Sequence, residues 1–194
     1  HFDEVGAVAF MPDGATAITG GQDYSVRLWD TATGAQVHLL PVLTAVQGLA
    51  VAPDGNRIAL AAGGMAYTGG STQIWDLSSR PYKITYFFGH LDSVTDVAFT
   101  PDGAQLISTG VDQTIRIWDA YTGAELRRIE GHSDAVTGAA VSADGAYLLT
   151  GSRDRTARLW ELATGRQLRV YSGHTGAVLD VAFAPDGQQL LTGS

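Results

Sequence analysis

Apolar and polar residues alternate along this chain in short runs, each closed by a turn. TIRIW, residues 114–118, alternates cleanly and reads as a strand with one buried face. SVTDVAF (93–99) is more continuously apolar, with partial alternation. AQLIST (104–109) and AELRRI (124–129) complete a group of four strands. TPDG separates the first two, its proline presetting φ and its glycine accepting a positive φ. AYTG separates the last two. No segment carries an apolar period of 3.6 residues long enough to argue for a helix.

The same group recurs. Trp-acid pairs stand at Trp29-Asp30, Trp75-Asp76, Trp118-Asp119 and Trp160-Glu161, with the tryptophans 46, 43 and 42 residues apart. PDG or ADG turns carry Asp13, Asp54, Asp102, Asp144 and Asp186. Gly-His pairs occur at Gly89-His90, Gly131-His132 and Gly173-His174, and Thr-Gly pairs follow three of the tryptophans. A repeat of about 40–45 residues, built of four strands and ending in Trp-Asp, is the signature of a β-propeller blade. On these residues the chain resembles the WD-repeat β-propeller family over essentially its whole length. The resemblance implies an all-β fold of four-stranded antiparallel blades. Four blades, near 1–41, 42–88, 89–130 and 131–172, and half of a fifth, 173–194, are expected as one partial domain over 1–194. Seven blades would need roughly 300 residues, so the segment is expected to belong to a larger, seven-bladed ring.

Fixed offsets tie polar residues to each tryptophan. From His90 the chain reaches Ser108 after 18 residues, Asp112 after 22 and Trp118 after 28. The same steps join His132 to Thr150, Asp154 and Trp160, and His1 to Thr19, Asp23 and Trp29. From His174 the first step reaches Thr192. Ser, His and Asp together can make a nucleophilic triad. An enzyme needs one such site, whereas this set recurs once per blade. The structural reading is a hydrogen-bond network that partners a buried indole N–H and a buried imidazole. The resemblance agrees, since these four positions form a structural tetrad in that family. One histidine per radiating blade does not gather a metal shell, and no thiolate is available.

The second unit breaks the pattern. Pro41-Val42 stands where Gly-His is due, and Leu60 takes the Ser/Thr position. GGMAYTGGS (63–71) makes the link to the third strand five residues longer than in its siblings, and no Asp occupies the tetrad position. The glycine-rich link has no following GK[ST] and reads as a lengthened hairpin rather than a phosphate cradle. The Asp of each tetrad must reach its His, so the loops carrying them share one end of each blade, and the PDG and Thr-Gly turns share the other. The family resemblance makes the His/Asp end the partner-binding face. Met65 and Tyr67 of the insert, with Gln22, Val111 and Arg153 beside the tetrad aspartates, are the candidate partner-binding residues. Plain solvation is the simpler alternative for them.

Composition narrows the chemistry. The net charge of −8 opposes nonspecific attraction to nucleic acid or anionic membranes. RDRTAR (153–158) is locally basic, but Arg27, Arg116 and Arg158 share one slot of the third strand and read as repeated strand-face positions. The chain has no cysteine, which leaves the compartment open. No apolar run approaches the ~20 residues that span a bilayer as a helix. On the innermost strands only Asp96 and Asp180 are ionisable, again in one repeated slot. No motif calls for a cofactor. The reading is a non-catalytic scaffold whose partners are other proteins or peptides, with no nucleic acid and no membrane. The alternative is an accessory or regulatory propeller domain of a multidomain enzyme or signalling protein whose chemistry lies elsewhere.

Overall fold

The computed structural model describes residues 1–65, 69–187 and 189–194. The strands fall where the apolar runs put them. The first sheet takes β1 (Val5–Phe10), β2 (Thr16–Gly21), β3 (Ser25–Asp30) and β4 (Gln36–Pro41). The second takes β5 (Val46–Val51), β6 (Arg57–Met65), β7 (Gly69–Asp76) and β8 (Lys83–Phe88). The third takes β9 (Val94–Phe99), β10 (Gln105–Gly110), β11 (Ile115–Asp119) and β12 (Glu125–Ile129). The fourth takes β13 (Val136–Val141), β14 (Tyr147–Ser152), β15 (Thr156–Glu161) and β16 (Arg166–Ser172). β17 (Asp180–Phe183) and β18 (Leu190–Gly193) pair as a two-stranded sheet. Each sheet is an antiparallel meander in chain order, and no helix occurs among the described residues. The expected all-β architecture, four blades and half of a fifth, is the observed one.

Turn chemistry sets the hairpins. Gly14, Gly55, Gly103, Gly145 and Gly187 all sit at φ +67 to +71, a conformation that costs a side chain dearly and glycine little. Behind four of them an aspartate accepts the N–H two residues on, as Asp13 does from Ala15 and Asp102 from Ala104. The PDG and Trp-Asp turns are stitched together at one end of each blade, by the Ala120 N–H to the Ala104 carbonyl and the Leu162 N–H to the Ala146 carbonyl.

The blades stack face to face. Trp118 of the third sheet packs on Ala59, Ala61, Ile74 and Phe87 of the second, with the Phe87 ring edge-on at 5.7 Å. Trp160 packs likewise on Ile107, Ile115, Ile117 and Ile129. Trp75, Trp118 and Trp160 therefore each cap the preceding blade, and burial of these large side chains is the main favourable term of the stack. The innermost strands touch in order, β1 on β5, β5 on β9, β9 on β13 and β13 on β17. Close approach is allowed by missing side chains: a Cβ at Gly48 would lie 2.8 Å from the Asp96 Cα.

The insert of the second blade enters the sheet. β6 and β7 run to nine and eight residues, and pairing continues to Met65 opposite Gly69 after an irregularity past Ala62. The base of this hairpin is tied on both sides, by the Gly63 N–H to the Ala45 carbonyl and the Gly70 N–H to the Asp92 carbonyl.

One polar atom is poorly spent in this packing. The Thr72 hydroxyl on β7 is fully buried without a hydrogen-bond partner among the described residues. Val26, Ile115 and Ala157 hold the same slot elsewhere. Thr72→Val therefore should stabilise the fold by about 1 kcal/mol, read as a rise in Tm. A fall in Tm would mean that the hydroxyl is satisfied.

Candidate functional site

The hydroxyl of β10 is the hub of the third blade's network. Trp118 Nε1 donates to Ser108 Oγ at 2.8 Å, and His90 Nε2 lies 2.8 Å from the same oxygen. His90 Nδ1 lies 3.0 Å from Asp112 Oδ1, and Asp112 Oδ2 accepts the Leu91 N–H at 2.9 Å. The fourth blade repeats it. Trp160 donates to Thr150 at 2.9 Å, and His132 bridges Thr150 and Asp154 at 2.8 Å each. In the first blade Trp29 donates to Thr19 at 2.8 Å, and His1 stands 2.6 Å from Thr19 and 2.8 Å from Asp23. His174 stands 2.7 Å from Thr192, with Ser194 Oγ at 2.9 Å from its other nitrogen.

The protons can be followed. The indole N–H occupies the hydroxyl oxygen, the hydroxyl proton points to His Nε2, and His Nδ1–H points to the carboxylate. Every atom is satisfied when the imidazole is neutral. Burial pushes the His132 pKa down despite the Asp154 charge beside it, which keeps that neutral form. Burial alone would push the Asp112 carboxyl up. Bonds from His90, the Leu91 N–H and Thr114 outweigh it and hold Asp112 well below the usual carboxylate range. At Asp154 burial is likewise outweighed, by Thr156, His132 and the Ser133 N–H. As chemistry, this is not a nucleophile poised for attack. Ser108 and Thr150 are fully buried beneath tryptophan, out of reach of a substrate.

Two further positions belong to the network. Ser25, Thr114 and Thr156 each donate to the tetrad aspartate two residues before them, at 2.7, 2.8 and 2.6 Å. In blades one, three and four the arginine two residues before the tryptophan reaches across to the outermost strand, Arg27 to Gln36, Arg116 to Glu125 and Arg158 to Gln167. Arg27 also pairs with Asp23 at 3.1 Å. Both slots repeat in the sequence: the arginines already read as repeated strand-face positions, and the same count of offsets marks the hydroxyls.

The second blade solves the problem differently. Leu60 and Val42 are buried where the hydroxyl and the histidine would be. Trp75 Nε1 donates instead to Gln73 Oε1 at 3.0 Å, and Gln73 occupies the slot that holds arginine elsewhere. A glutamine two residues before a tryptophan was the available signal.

The candidate partner residues lie on separate loops. The backbone N–H groups of Gln22, Val111 and Arg153 bond to the carbonyls of Glu4, Ser93 and Ala135, the loops that lead into β1, β9 and β13. This ties the two loop sets to one end of each blade. Arg153 is exposed, whereas Gln22 and Val111 are half-buried. Met65 ends β6, and Tyr67 lies outside the described residues.

The innermost strands line an open cleft of about 440 Å3, bordered in part by Thr95, Asp96, Thr137 and Asp180. Asp96 Oδ2 accepts the Ala139 N–H of the next blade at 2.9 Å. Desolvation, with Asp180 of like charge nearby, pushes the Asp96 pKa up to about 7. Among the described residues no group of three or more His, Cys, Asp or Glu is placed to hold a metal ion.

A meander of four-stranded blades, three of them closed by a hydroxyl between Trp and His, defines a β-propeller of tetrad-bearing repeats. The family model described as WD domain, G-beta repeat, or WD40, matches residues 1–30, 81–119, 123–161 and 165–194, and the chain belongs to this family. The matches leave out 31–80, most of the blade that lacks the network. Protein groucho of Drosophila melanogaster is similar at 30% identity over 125 residues, 63% of this chain and 16% of that protein.

Two outcomes test this geometry. Ser108→Ala strands the buried Trp118 N–H donor and the His90 Nε2 acceptor and should cost about 2–4 kcal/mol, measured by denaturant unfolding. A cost below about 0.5 kcal/mol would deny the hydroxyl its role as hub. For Asp96, the fold binds a proton that the unfolded chain releases between pH 4 and 7, so this site adds stability as pH falls through that window. Asp96→Asn keeps the acceptor for Ala139 without the charge. It should stabilise by about 1–2 kcal/mol at pH 8 and leave stability unchanged at pH 3, below both the folded and the unfolded pKa. Equal effects at both pH values would contradict the raised pKa.

Proposed function

We propose that this chain is a non-catalytic protein-interaction scaffold that meets its partner at the His/Asp end of the blades. One observation carries the reading. The Trp–hydroxyl–His–Asp set that recurs in blades one, three and four is consumed internally, with Ser108 and Thr150 fully buried, which leaves the loops to contact other molecules. At the His/Asp end these loops differ from blade to blade: Gln22, Val111 and Arg153 hold one slot, and the second blade adds its insert with Met65 and Tyr67. Arginine and tyrosine are the side chains that most often anchor interfaces. Membership in a family of repeats without a catalytic constellation supports the same reading. Proteins or peptides are the partners it calls for.

Affinity capture with mass spectrometry tests it. A variant carrying alanine at Gln22, Met65, Tyr67, Val111 and Arg153 should recover partners that bind the wild type at least thirtyfold less well, since one hot-spot truncation costs about 2 kcal/mol. A single cooperative melting transition checks that the variant folds, since Gln22 and Val111 are half-buried. Unchanged recovery would reject this face.

A further inference from the structure

The residue after each tetrad histidine takes a fixed place at the His/Asp end. In blades one to five that slot holds Phe2, Leu43, Leu91, Ser133 and Thr175. Phe2, Leu43 and Leu91 are 96%, 76% and 79% exposed. Three neighbouring blades thus display a row of large apolar side chains, and the next two do not. Scattered apolar residues are ordinary on a surface, but a row held in register is an interaction feature. Two of the three are pinned by the network beneath them: the Phe2 N–H donates to Asp23 and the Leu91 N–H to Asp112, both at 2.9 Å. Such preorganisation lowers the entropy cost of binding.

Leu43 of this row also lines a groove of about 370 Å3, together with Tyr24, Gln47, Gly63 and Ser93. Tyr24 is 58% exposed. The groove exists because the second blade departs from the repeat: its loop before β5 carries no histidine, and its long hairpin is tied to the loops on both sides.

Charge says what fits there. The groove lining contains no ionisable group except the Tyr24 phenol. The exposed carboxylates Asp3, Glu4 and Asp92 flank it, on loops whose carbonyls hold the Gln22 and Gly70 N–H groups. Asp3 and Asp92 each accept the N–H of the following residue, and none of the three pairs with a cation among the described residues. We infer that the rim of blades one to three is a docking site for an extended basic–apolar peptide segment of a protein partner, with one apolar side chain in the Tyr24–Leu43 groove and its basic residues against Asp3, Glu4 and Asp92. The inference rests on the scaffold reading and names the partner chemistry for one part of that face.

The probe is a short fluorescein-labelled peptide alternating arginine and leucine, followed by fluorescence anisotropy against the whole 194-residue chain. Leu43→Ser with Leu91→Ser should weaken binding about tenfold or more. Glu4→Gln with Asp92→Asn should weaken it about threefold and flatten its salt dependence. Asp13→Asn with Asp144→Asn, the same charge change at the opposite end, should leave binding unchanged. All these positions are exposed, and Tm checks that each variant folds. Equal binding by the leucine-substituted variants, or by a peptide with glutamate for arginine, would overturn the inference. So would a concentration-dependent dimer in sedimentation that the leucine substitutions abolish, because the occupant would then be a second copy. If peptide binding fails while capture still depends on Arg153 and Gln22, this inference falls and the scaffold reading stands.

Discussion

The blades depend on a hydroxyl that cannot be seen from outside. Ser108 joins the indole of β11 to the imidazole of the loop before β9, and that imidazole reaches the aspartate of the turn between β10 and β11. Three strands and two loops are thereby held in one arrangement. The indole so oriented presents its face to the preceding blade, where Ile74 and Phe87 wait. Polar satisfaction inside one blade thus sets apolar packing between two. A buried network of this kind stabilises when complete and costs heavily when one member is removed.

The second blade shows what the network is for. It keeps the strand order and the buried tryptophan without the histidine, the hydroxyl or the aspartate. Leu60 and Val42 make the region apolar, and Gln73 satisfies the one donor that remains. Removing several polar partners together leaves few unpaired groups, whereas removing one leaves several. The tie between strand and loop has to come from elsewhere, and the backbone bonds of Gly63 and Gly70 to the neighbouring loops supply it. The groove beside Tyr24 and Leu43 is a consequence of that exchange.

The buried polar networks and the variable loops are therefore separated in space. The titratable groups with the strongest pressures on them, Asp112, Asp154 and Asp96, are all occupied in holding blades together. The groups that differ from blade to blade stand on loops whose backbones are fixed by those same bonds. A rigid repeat with variable loops is how a scaffold keeps its shape while changing what it meets.

Much of this was written in the order of residues. Apolar alternation, the PDG turns and the spacing of tryptophans determined the strands, their meander and the tetrads, because each depends on neighbours close in sequence or on a repeat that can be counted. The pairing of Trp75 with Gln73, the roles of Thr114 and Arg116, and the entry of the long link into β6 and β7 were decided by the tertiary structure. So were the raised pKa of Asp96 and the groove between Tyr24 and Leu43. These depend on which atoms of separate blades come within 3–4 Å and on how much water they exclude, and neither quantity has a period along the chain.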